Sequence, residues 1–231
     1  MNGTKMLCLA FFLLIQRASL AQNQEDTGAT LVIKDNFTVL DTNIWTVELD
    51  KQPGASVDVV NNALVINSSG GATVWLKKPL KGNVEIHYKR QFVLDGGPND
   101  RLSDLNQFWM ASDPNGKSFF TRTGRLEEYD SLTLYYMGMG GNYNSTTRFR
   151  RYDGQGNRVL LNEFLDGEHL LKPEHIYHIK TVVQDGRTQV WVDGVLFFDY
   201  IDRQPLTVGY FGFRSTYSHQ RISDFRVYQL P

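Results

Sequence analysis

The chain has 231 residues, 41% hydrophobic and 21% charged, a composition typical of an ordinary globular protein. Lysine plus arginine (24) nearly balances aspartate plus glutamate (25), which leaves a formal net charge of -1. This balance argues against a nucleic-acid partner, because proteins that bind polyanions collect an excess of positive charge.

The first 21 residues have the layout of a secretory signal peptide. Lys5 precedes an apolar run from Met6 to Ile15, and the small-residue site Ser19-Leu20-Ala21 follows. The run is about half of the ~20 residues that a membrane-spanning helix needs. We therefore expect cleavage after Ala21 and export to the periplasm or the exterior without a membrane anchor. The only cysteine, Cys8, lies in this segment, so the mature chain would contain no disulfide.

Short strands dominate the rest of the chain, after a flexible lead-in predicted at 22–30. Asp193-Gly194 is typical of a two-residue hairpin turn, whereas 162–169 reads as a single helical turn or a loop. The absence of a linker or a repeat predicts one all-β domain over 31–231, with two antiparallel sheets packed face to face. The predicted strands cover 64–66, 73–76, 84–94, 105–111, 131–139, 146–152, 176–183, 188–192, 195–200, 209–215 and 222–229.

The stretch TTRFRRYD, at 146–153, places three arginines in eight residues. Alternation along a strand sends Arg148, Arg150 and Tyr152 to one face and Phe149 to the other. Two neighbouring guanidiniums repel each other unless a negative group lies between them. That group is either a ligand or a nearby acid, and the sequence offers Glu127, Glu128 and Asp130 for the second alternative.

The same alternation, applied to the neighbouring strands, predicts a groove. Large apolar side chains such as Phe108, Leu134, Tyr136 and Phe213 are assigned to the core, so their chain neighbours face outward. In this groove Trp109 would stack against a sugar ring, although an inward Trp109 would simply be core. The groove is aromatic and cationic, which suits an anionic sugar, and its predicted members are Gln107, Trp109, Tyr135, Arg148, Arg150, Tyr152 and Arg214.

Three long stretches resemble one secreted family of jelly-roll proteins from bacterial polysaccharide-utilisation systems. They are GGPNDRLSDLNQFWMASDP, LYYMGMGGNYNSTTRFRRYDG and GYFGFRSTYSHQRISDFRVYQL, at 96–114, 134–154 and 209–230. Phe37 with Asp41 and Trp45 is similar to the opening strand of concanavalin-like jelly rolls. The resemblance implies a concanavalin-like jelly-roll sandwich of two antiparallel sheets.

A lyase-like member of that family acts as an ulvan oligosaccharide dehydratase. The resemblance therefore implies a carbon–oxygen lyase, either a dehydratase or a polysaccharide lyase, that takes acidic oligosaccharides or polysaccharides as partners. The product would be unsaturated uronic acid, made by β-elimination from glucuronate or iduronate at the non-reducing end. No cofactor and no metal are expected.

Such a β-elimination needs a clamp for the carboxylate, a base for the C5 proton and an acid for the group leaving C4. We assign the clamp to Arg148 with Arg150. Tyr135 and His219 are the candidate acid and base, although a histidine in the loop predicted between the last two strands is more often solvated. Asn142, in the glycine-rich turn that follows Gly140, would hydrogen-bond the carboxylate.

Two other functions stay open at this stage. A non-catalytic carbohydrate-binding module also needs aromatic and polar groups in a groove, and the sequence does not separate it from an enzyme. A jelly-roll glycoside hydrolase typically needs two carboxylates that flank the scissile bond, and no predicted groove strand carries an outward Glu-x-Asp or Glu-x-Glu pair.

The segment 96–104 is predicted to be a structured loop. Its aspartates, Asp100 and Asp104, would pin it through bonds to arginine and to the backbone. A calcium site is the alternative, but the spacing of these residues does not match a known calcium loop.

Overall fold

The computed structural model describes residues 28–231, which form a jelly-roll sandwich of two eight-stranded antiparallel sheets. The all-β class predicted from the strand pattern is thereby confirmed. The predicted signal peptide and the lead-in up to residue 27 lie outside the described residues. The first strand begins at Thr30, one residue before the predicted start of the domain. No helix within 28–231 has the length and apolar character needed to cross a membrane.

Sheet 1 contains the clearest hairpins of the sequence. Asp185-Gly186 and Asp193-Gly194 both have positive φ at their two central residues (49° and 80°; 51° and 81°), the conformation of the predicted tight turn. In order of neighbours the sheet runs β14 (Val195–Ile201), β13 (Arg187–Val192), β12 (Ile176–Gln184), β7 (Val84–Phe92), β16 (Ser218–Gln229), β4 (Leu64–Ser68) and β3 (Ser56–Val59), and β1 (Thr30–Asp35) also pairs with β16.

Sheet 2 carries the arginine-rich strand near one edge. In order it runs β11 (Arg158–Phe164), β10 (Thr146–Asp153), β9 (Thr133–Gly140), β8 (Leu105–Ser112), β15 (Val208–Ser215), β5 (Ala72–Leu76) and β2 (Trp45–Leu49), and β6 (Leu80–Lys81) pairs with β15. Short helical turns occur at Leu126–Tyr129, Gly141–Asn144 and Gly167–His169. The loop or helical turn predicted at 162–169 therefore begins in a strand, because β11 extends to Phe164, and it ends in a short helical turn at Gly167–His169.

The core between the sheets is aromatic. The Trp45 ring stacks on Phe213 at 5.5 Å between centroids and meets Phe225 edge-on at 5.1 Å. A charged side chain also lies in this core: Arg90 of β7 donates to the backbone carbonyls of Asn106 and Arg214 on sheet 2, both at 2.7 Å. Because burying a guanidinium is costly without hydrogen bonds, these two bonds stabilise Arg90 and tie the two sheets together at these positions.

A second apolar cluster lies on the outer face of sheet 2. The covering segment, residues 113–131, crosses this face and packs Phe119 and Tyr129 onto Trp75, with ring centroids 4.9 and 5.9 Å apart. Buried Glu48 accepts hydrogen bonds from Trp75 Nε1 (2.7 Å), the Tyr129 hydroxyl (2.9 Å) and the Arg122 N–H (2.7 Å). Sheet 2 is therefore buried on both faces over part of its area.

Candidate functional site

Two rows of cross-strand neighbours run across the outer face of sheet 2, and the members on β10 and β11 are partly exposed. The polar row consists, in register, of Glu163, Arg148, Gly138, Asn106, Arg214, Thr73 and Glu48. The aromatic row beside it consists of Arg150, Tyr136, Phe108, Gly212 and Trp75. Side chains directly opposite each other across strands are close enough to act on the same ligand group.

The predicted orientation of β10 is confirmed. Phe149 stacks on Trp109 between the sheets, at 5.7 Å and 5° between ring planes, so Arg148, Arg150 and Tyr152 face outward. Arg148 forms an ion pair with Glu163, which is a different acid from those that the sequence suggested. Arg150 forms no ion pair within residues 28–231, and its guanidinium lies 5.9 Å from the centroid of the Tyr136 ring.

Tyr136 and Asn106 are the centre of the site. The Tyr136 hydroxyl donates to Asn106 Oδ1 at 2.9 Å. The phenol lies over Gly138, where a Cβ atom would stand only 2.1 Å from the Tyr136 oxygen and 2.7 Å from Asn106 Oδ1. A glycine inside a strand often marks such a close approach. Tyr136 can therefore occupy this position only because residue 138 is a glycine.

Three buried polar atoms on this face have no hydrogen-bond partner among residues 28–231. They are Asn106 Nδ2, Arg214 Nε and the Tyr152 hydroxyl, and all three side chains are fully buried. Asn106 and Arg214 are direct cross-strand neighbours. Since buried polar groups are nearly always satisfied, the donors of Asn106 and Arg214 that residues 28–231 leave unpaired mark a place where a further acceptor is expected.

The electrostatics keep Tyr136 protonated. Burial raises the pKa of Tyr136 well above its ordinary value, the charge of Asp104 adds to the rise, and the arginines at 150 and 214 oppose it. Asp104 directly precedes β8, and its Oδ1 accepts from the Thr216 N–H at 3.4 Å. Burial also raises the pKa of Tyr152, to about 12. At neutral pH the site therefore holds a phenol that can donate a proton.

The predicted orientation of β8 and β9 is wrong for three groove residues. Trp109 is fully buried between the sheets, and its Nε1 donates to Thr188 Oγ1 at 3.1 Å. Gln107 accepts from the Tyr88 hydroxyl at 2.9 Å inside the same core. Tyr135, 1% exposed, donates to Asp202 Oδ2 at 2.6 Å.

The physical reason for the error lies in the covering segment. It buries large apolar side chains on the outer face of sheet 2 as well, so side-chain size does not identify the inner face. Burial, followed by the hydrogen bond to Asp202, raises the pKa of Tyr135 far above its ordinary value. Such a group is a poor base, and the structure does not bring it together with Arg148.

His219 is also separated from the arginines. It is the second residue of β16 rather than part of a loop, and it pairs with Asn67 of β4. The next residue, Gln220, points inward to the Arg90 guanidinium, so the His219 ring faces the outside of sheet 1. There His219 Nδ1 lies 2.9 Å from Asp100 Oδ1. In this position His219 anchors the 96–104 loop.

The same loop is pinned by Asp100 through backbone bonds, as the sequence predicted, and through His219 rather than an arginine. Burial alone would raise the pKa of Asp100, but hydrogen bonds from the Gly97 N–H, the His219 ring and the Asp95 N–H lower it. The oxygens of Asp100 are engaged in these bonds rather than free for a cation. Within the described part of the chain, no three His, Cys, Asp or Glu side chains are grouped to hold a metal ion.

The remaining two predicted residues have different surroundings. Arg214 faces outward as expected, but it is buried beneath the covering segment, with Nη1 donating to the Gly124 carbonyl and 3.3 Å from Thr73 Oγ1. Asn142 is exposed in the turn between β9 and β10, and its carbonyl accepts from Ser145 Oγ at 2.6 Å. Their part in ligand binding stays a prediction.

Sequence reasoning missed the residues at the centre of the site. Tyr136 and Phe108 were assigned to the core because of their size, and Asn106 was passed over. One signal was available: the even positions of β9 include Gly138 and Gly140, whereas the odd positions include Met137 and Met139. Methionines suit a core, and glycines leave space on the opposite face, so this asymmetry indicates the correct orientation.

Solved structures with the same fold are numerous. A protein of unknown function with a galectin-like fold from Bacillus subtilis has 17% identity and a TM-score of 0.71, with 87% of this chain and 96% of that chain covered. The endo-β-1,3-glucanase of Pyrococcus furiosus has 11% identity and a TM-score of 0.62, with coverages of 88% and 95%. A carbohydrate-binding module, CBM66, from Bacillus subtilis has 13% identity and a TM-score of 0.56, with coverages of 81% and 98%.

At these identities the likeness concerns the fold alone, since one fold supports many functions. No significant match was found among curated proteins. A family model, described as a domain of unknown function (DUF6250), matches residues 66–225. This match spans more than half of the 231 residues and contains all strands that carry the polar and aromatic rows except β2. The chain therefore belongs to the DUF6250 family.

Proposed function

We propose that the protein is a carbon–oxygen lyase that acts on uronate-bearing oligosaccharides at the outer face of sheet 2. The observation that carries the proposal is the Tyr136–Asn106 pair beneath the unpaired guanidinium of Arg150. This set combines a protonated phenol with an amide donor and a cation that have no partner among the described residues. These are the groups that a reaction needs when a sugar carboxylate is neutralised while the C4–O bond breaks.

The clamp is assigned to Arg150 and Asn106. Arg150 has no acid to pair with in the described residues, and Asn106 Nδ2 lacks an acceptor next to the unpaired Nε of Arg214. A carboxylate offers several lone pairs to such donors, and charge-assisted hydrogen bonds to it are strong. Arg148, which pairs with Glu163, contributes positive charge from the edge of the site.

The acid is assigned to Tyr136 and the base to Asp104. With the sugar carboxylate neutralised, Asp104 accepts the C5 proton, the electron pair forms the C4–C5 double bond, and the C4–O bond breaks. Tyr136 gives its proton to the departing oxygen, which leaves as water from a dehydratase or as a sugar hydroxyl from a lyase. A proton then returns from Asp104 to Tyr136. The raised pKa of Tyr136 keeps the phenol protonated at neutral pH, which is the form that an acid needs and a base lacks.

The covering segment supports action at a chain end. It connects Ser112 of β8 to Thr133 of β9 and closes the outer face over Trp75 and Arg214. Within the described residues, the side near Arg148 and Arg150 stays partly exposed. An acidic sugar bound there has a wall on one side, which favours glucuronate or iduronate at the non-reducing end of an ulvan-type fragment over the middle of a polymer.

A glycoside hydrolase fits this face less well. The outward side chains of β8, β9, β10 and β15 include no Asp or Glu. Glu48 on β2 and Glu163 on β11 lie at opposite edges, six strand spacings or about 29 Å apart. Asp104, next to β8, is three strand spacings or about 14 Å from each of these two strands. Paired catalytic carboxylates of glycosidases are about 5–9.5 Å apart.

A non-catalytic carbohydrate-binding module is the second candidate. Tyr136 is only 5% exposed, which favours a recognition surface over an accessible acid. Fold neighbours include both a carbohydrate-binding module and an endo-β-1,3-glucanase, so a saccharide partner is supported for either function. The predicted signal peptide makes the periplasm or the exterior the proposed location, where such saccharides are met.

The test is to incubate the protein with glucuronate–rhamnose oligosaccharides and to follow the ultraviolet absorbance of the unsaturated uronate. We expect turnover by the wild type and a loss of about 10²–10⁴-fold in Tyr136→Phe, the usual contribution of a general acid. Tyr228→Phe, on the outer face of sheet 1, is the matched control and should behave like the wild type. Binding without any absorbance change would replace the lyase with the binding module.

A further inference from the structure

The turn between β9 and β10 presents one aromatic side chain to solvent. Tyr143 is 80% exposed, the largest exposed fraction among the large hydrophobic side chains of the described residues. It lies at one end of sheet 2, in the turn that follows Gly138 and Gly140 of the same hairpin. An exposed tyrosine at the mouth of a site has an apolar ring face available for stacking.

The backbone of this turn is unusual. Gly140, Asn142, Tyr143 and Asn144 have φ values of 76°, 51°, 59° and 56°, so three non-glycine residues in succession adopt the left-handed conformation. Left-handed residues other than glycine are energetically unfavourable, and such strain is found mainly at functional sites. The turn therefore holds Tyr143 in a position that relaxed backbone would not provide.

The turn is also anchored rigidly to the rest of the fold. The Asn144 amide donates from Nδ2 to the Leu171 carbonyl and accepts from the Leu171 N–H, both at 2.9 Å. Gly140 cannot be replaced, since a Cβ there would lie 2.2 Å from Leu171 Cδ1. The Tyr143 ring thus stands on a fixed support rather than on a mobile tip.

A cation lies against the same ring. The Arg101 guanidinium is 5.1 Å from the Tyr143 centroid and 4.6 Å from the Tyr217 centroid, and its Nε donates to the Tyr217 carbonyl at 3.1 Å. Arg101 forms no ion pair within 28–231. Residues from three separate loops, 96–104, 140–145 and 215–218, therefore converge on one aromatic and cationic patch.

We infer that Tyr143 and Arg101 form a second sugar subsite, which binds the residue glycosidically linked to the acidic sugar. The inference rests on the proposed function for the location of the acidic sugar. Gly138 and Gly140 are two residues apart on one strand, about 7 Å, so the patch begins about one pyranose ring beyond the Tyr136 phenol. The Tyr143 ring stacks on the sugar face, and the Arg101 N–H groups donate to its oxygens.

The test compares ligands of different length by calorimetry. The probes are glucuronic acid, a glucuronate–rhamnose disaccharide and the corresponding trisaccharide, each titrated into the wild type, Tyr143→Ala and Tyr143→Phe. Loss of one stacking ring should weaken binding of the di- and trisaccharide about two- to tenfold and leave glucuronic acid unchanged. Tyr143→Phe keeps the ring and should retain wild-type affinity.

The outcomes separate this inference from the proposed function. If Tyr143→Ala weakens binding of the di- and trisaccharide but not of glucuronic acid, and no unsaturated product forms, the subsite is supported and the protein is a binding module. If unsaturated product forms and the wild type and Tyr143→Ala bind all three probes equally well, the subsite is overturned and the lyase activity is supported. A parallel loss for glucuronic acid, or a lowered melting temperature that explains the loss, also overturns it, because Tyr143 would then merely support Arg101. Failure of all three probes to bind the wild type overturns both.

Discussion

Replacing Gly138 with alanine should disable the site without touching the core. The new Cβ would stand 2.1 Å from the Tyr136 oxygen and 2.6 Å from its Cζ, whereas ordinary contact begins at 3.4 Å. The phenol must therefore move by about 1.3 Å, and its hydrogen bond to Asn106 must break. A displacement of about 1 Å at a reacting group can reduce the rate about 10²-fold.

The expected loss in kcat/KM for Gly138→Ala is therefore about 10²-fold, measured by the absorbance of the unsaturated uronate. Stability should change far less than activity, because the crowding costs about 1–3 kcal/mol while replacing glycine in a strand restores about 0.5–1 kcal/mol. Gly167→Ala is the control, since a Cβ at this position meets nothing within 4 Å. Circular dichroism melts of both variants would detect a general loss of fold.

A double-mutant cycle tests whether Gly138→Ala acts through the Tyr136 hydroxyl. If Gly138→Ala acts by displacing the Tyr136 hydroxyl, it should reduce activity only slightly further in a Tyr136→Phe background, so the two effects should not add. Wild-type activity in Gly138→Ala, or strictly additive losses in the double variant, would refute the assignment of Tyr136 to the site.

Two further predictions concern stability. Glu48→Gln should lower the free energy of unfolding by about 1–3 kcal/mol in denaturant titrations, because a neutral amide cannot accept from all three donors of Glu48. The control is Glu163→Gln, at a partly exposed ion pair, which should cost less than about 1 kcal/mol. Equal effects of the two substitutions would contradict the role of Glu48 under the covering segment. Acid should loosen the 96–104 loop: because the folded pKa of Asp100 is below its usual 3.8, its contribution is present above that value and is lost as the pH falls through the lowered pKa. The melting temperature of the wild type should therefore fall more steeply below pH 3.8 than that of Asp100→Asn, and parallel curves would contradict this role of Asp100.

Local features of the chain were readable without the fold. Two-residue turns such as Asp193-Gly194 need residues that tolerate positive φ, and they occur where predicted. Most strands were found for the same reason, since β-branched and aromatic runs bounded by turn residues suit a pleated sheet. The orientation of β10 was also readable, because Phe149 opposes two arginines and only one of these faces can enter a core.

Long-range packing determines which face of β8 and β9 points into the core, and the alternation of side chains alone does not. In β8 and β9 both alternating sets carry large side chains, and the 113–131 segment buries the outer set by crossing from one end of sheet 2. His219 was assigned to a loop because nothing near it in sequence reveals its pairing with Asn67. The pleat dictates which residues share a face, and this is local. Which face becomes the inside depends on the segments that pack against it, so Tyr136 and Asn106 emerged as the site only in three dimensions.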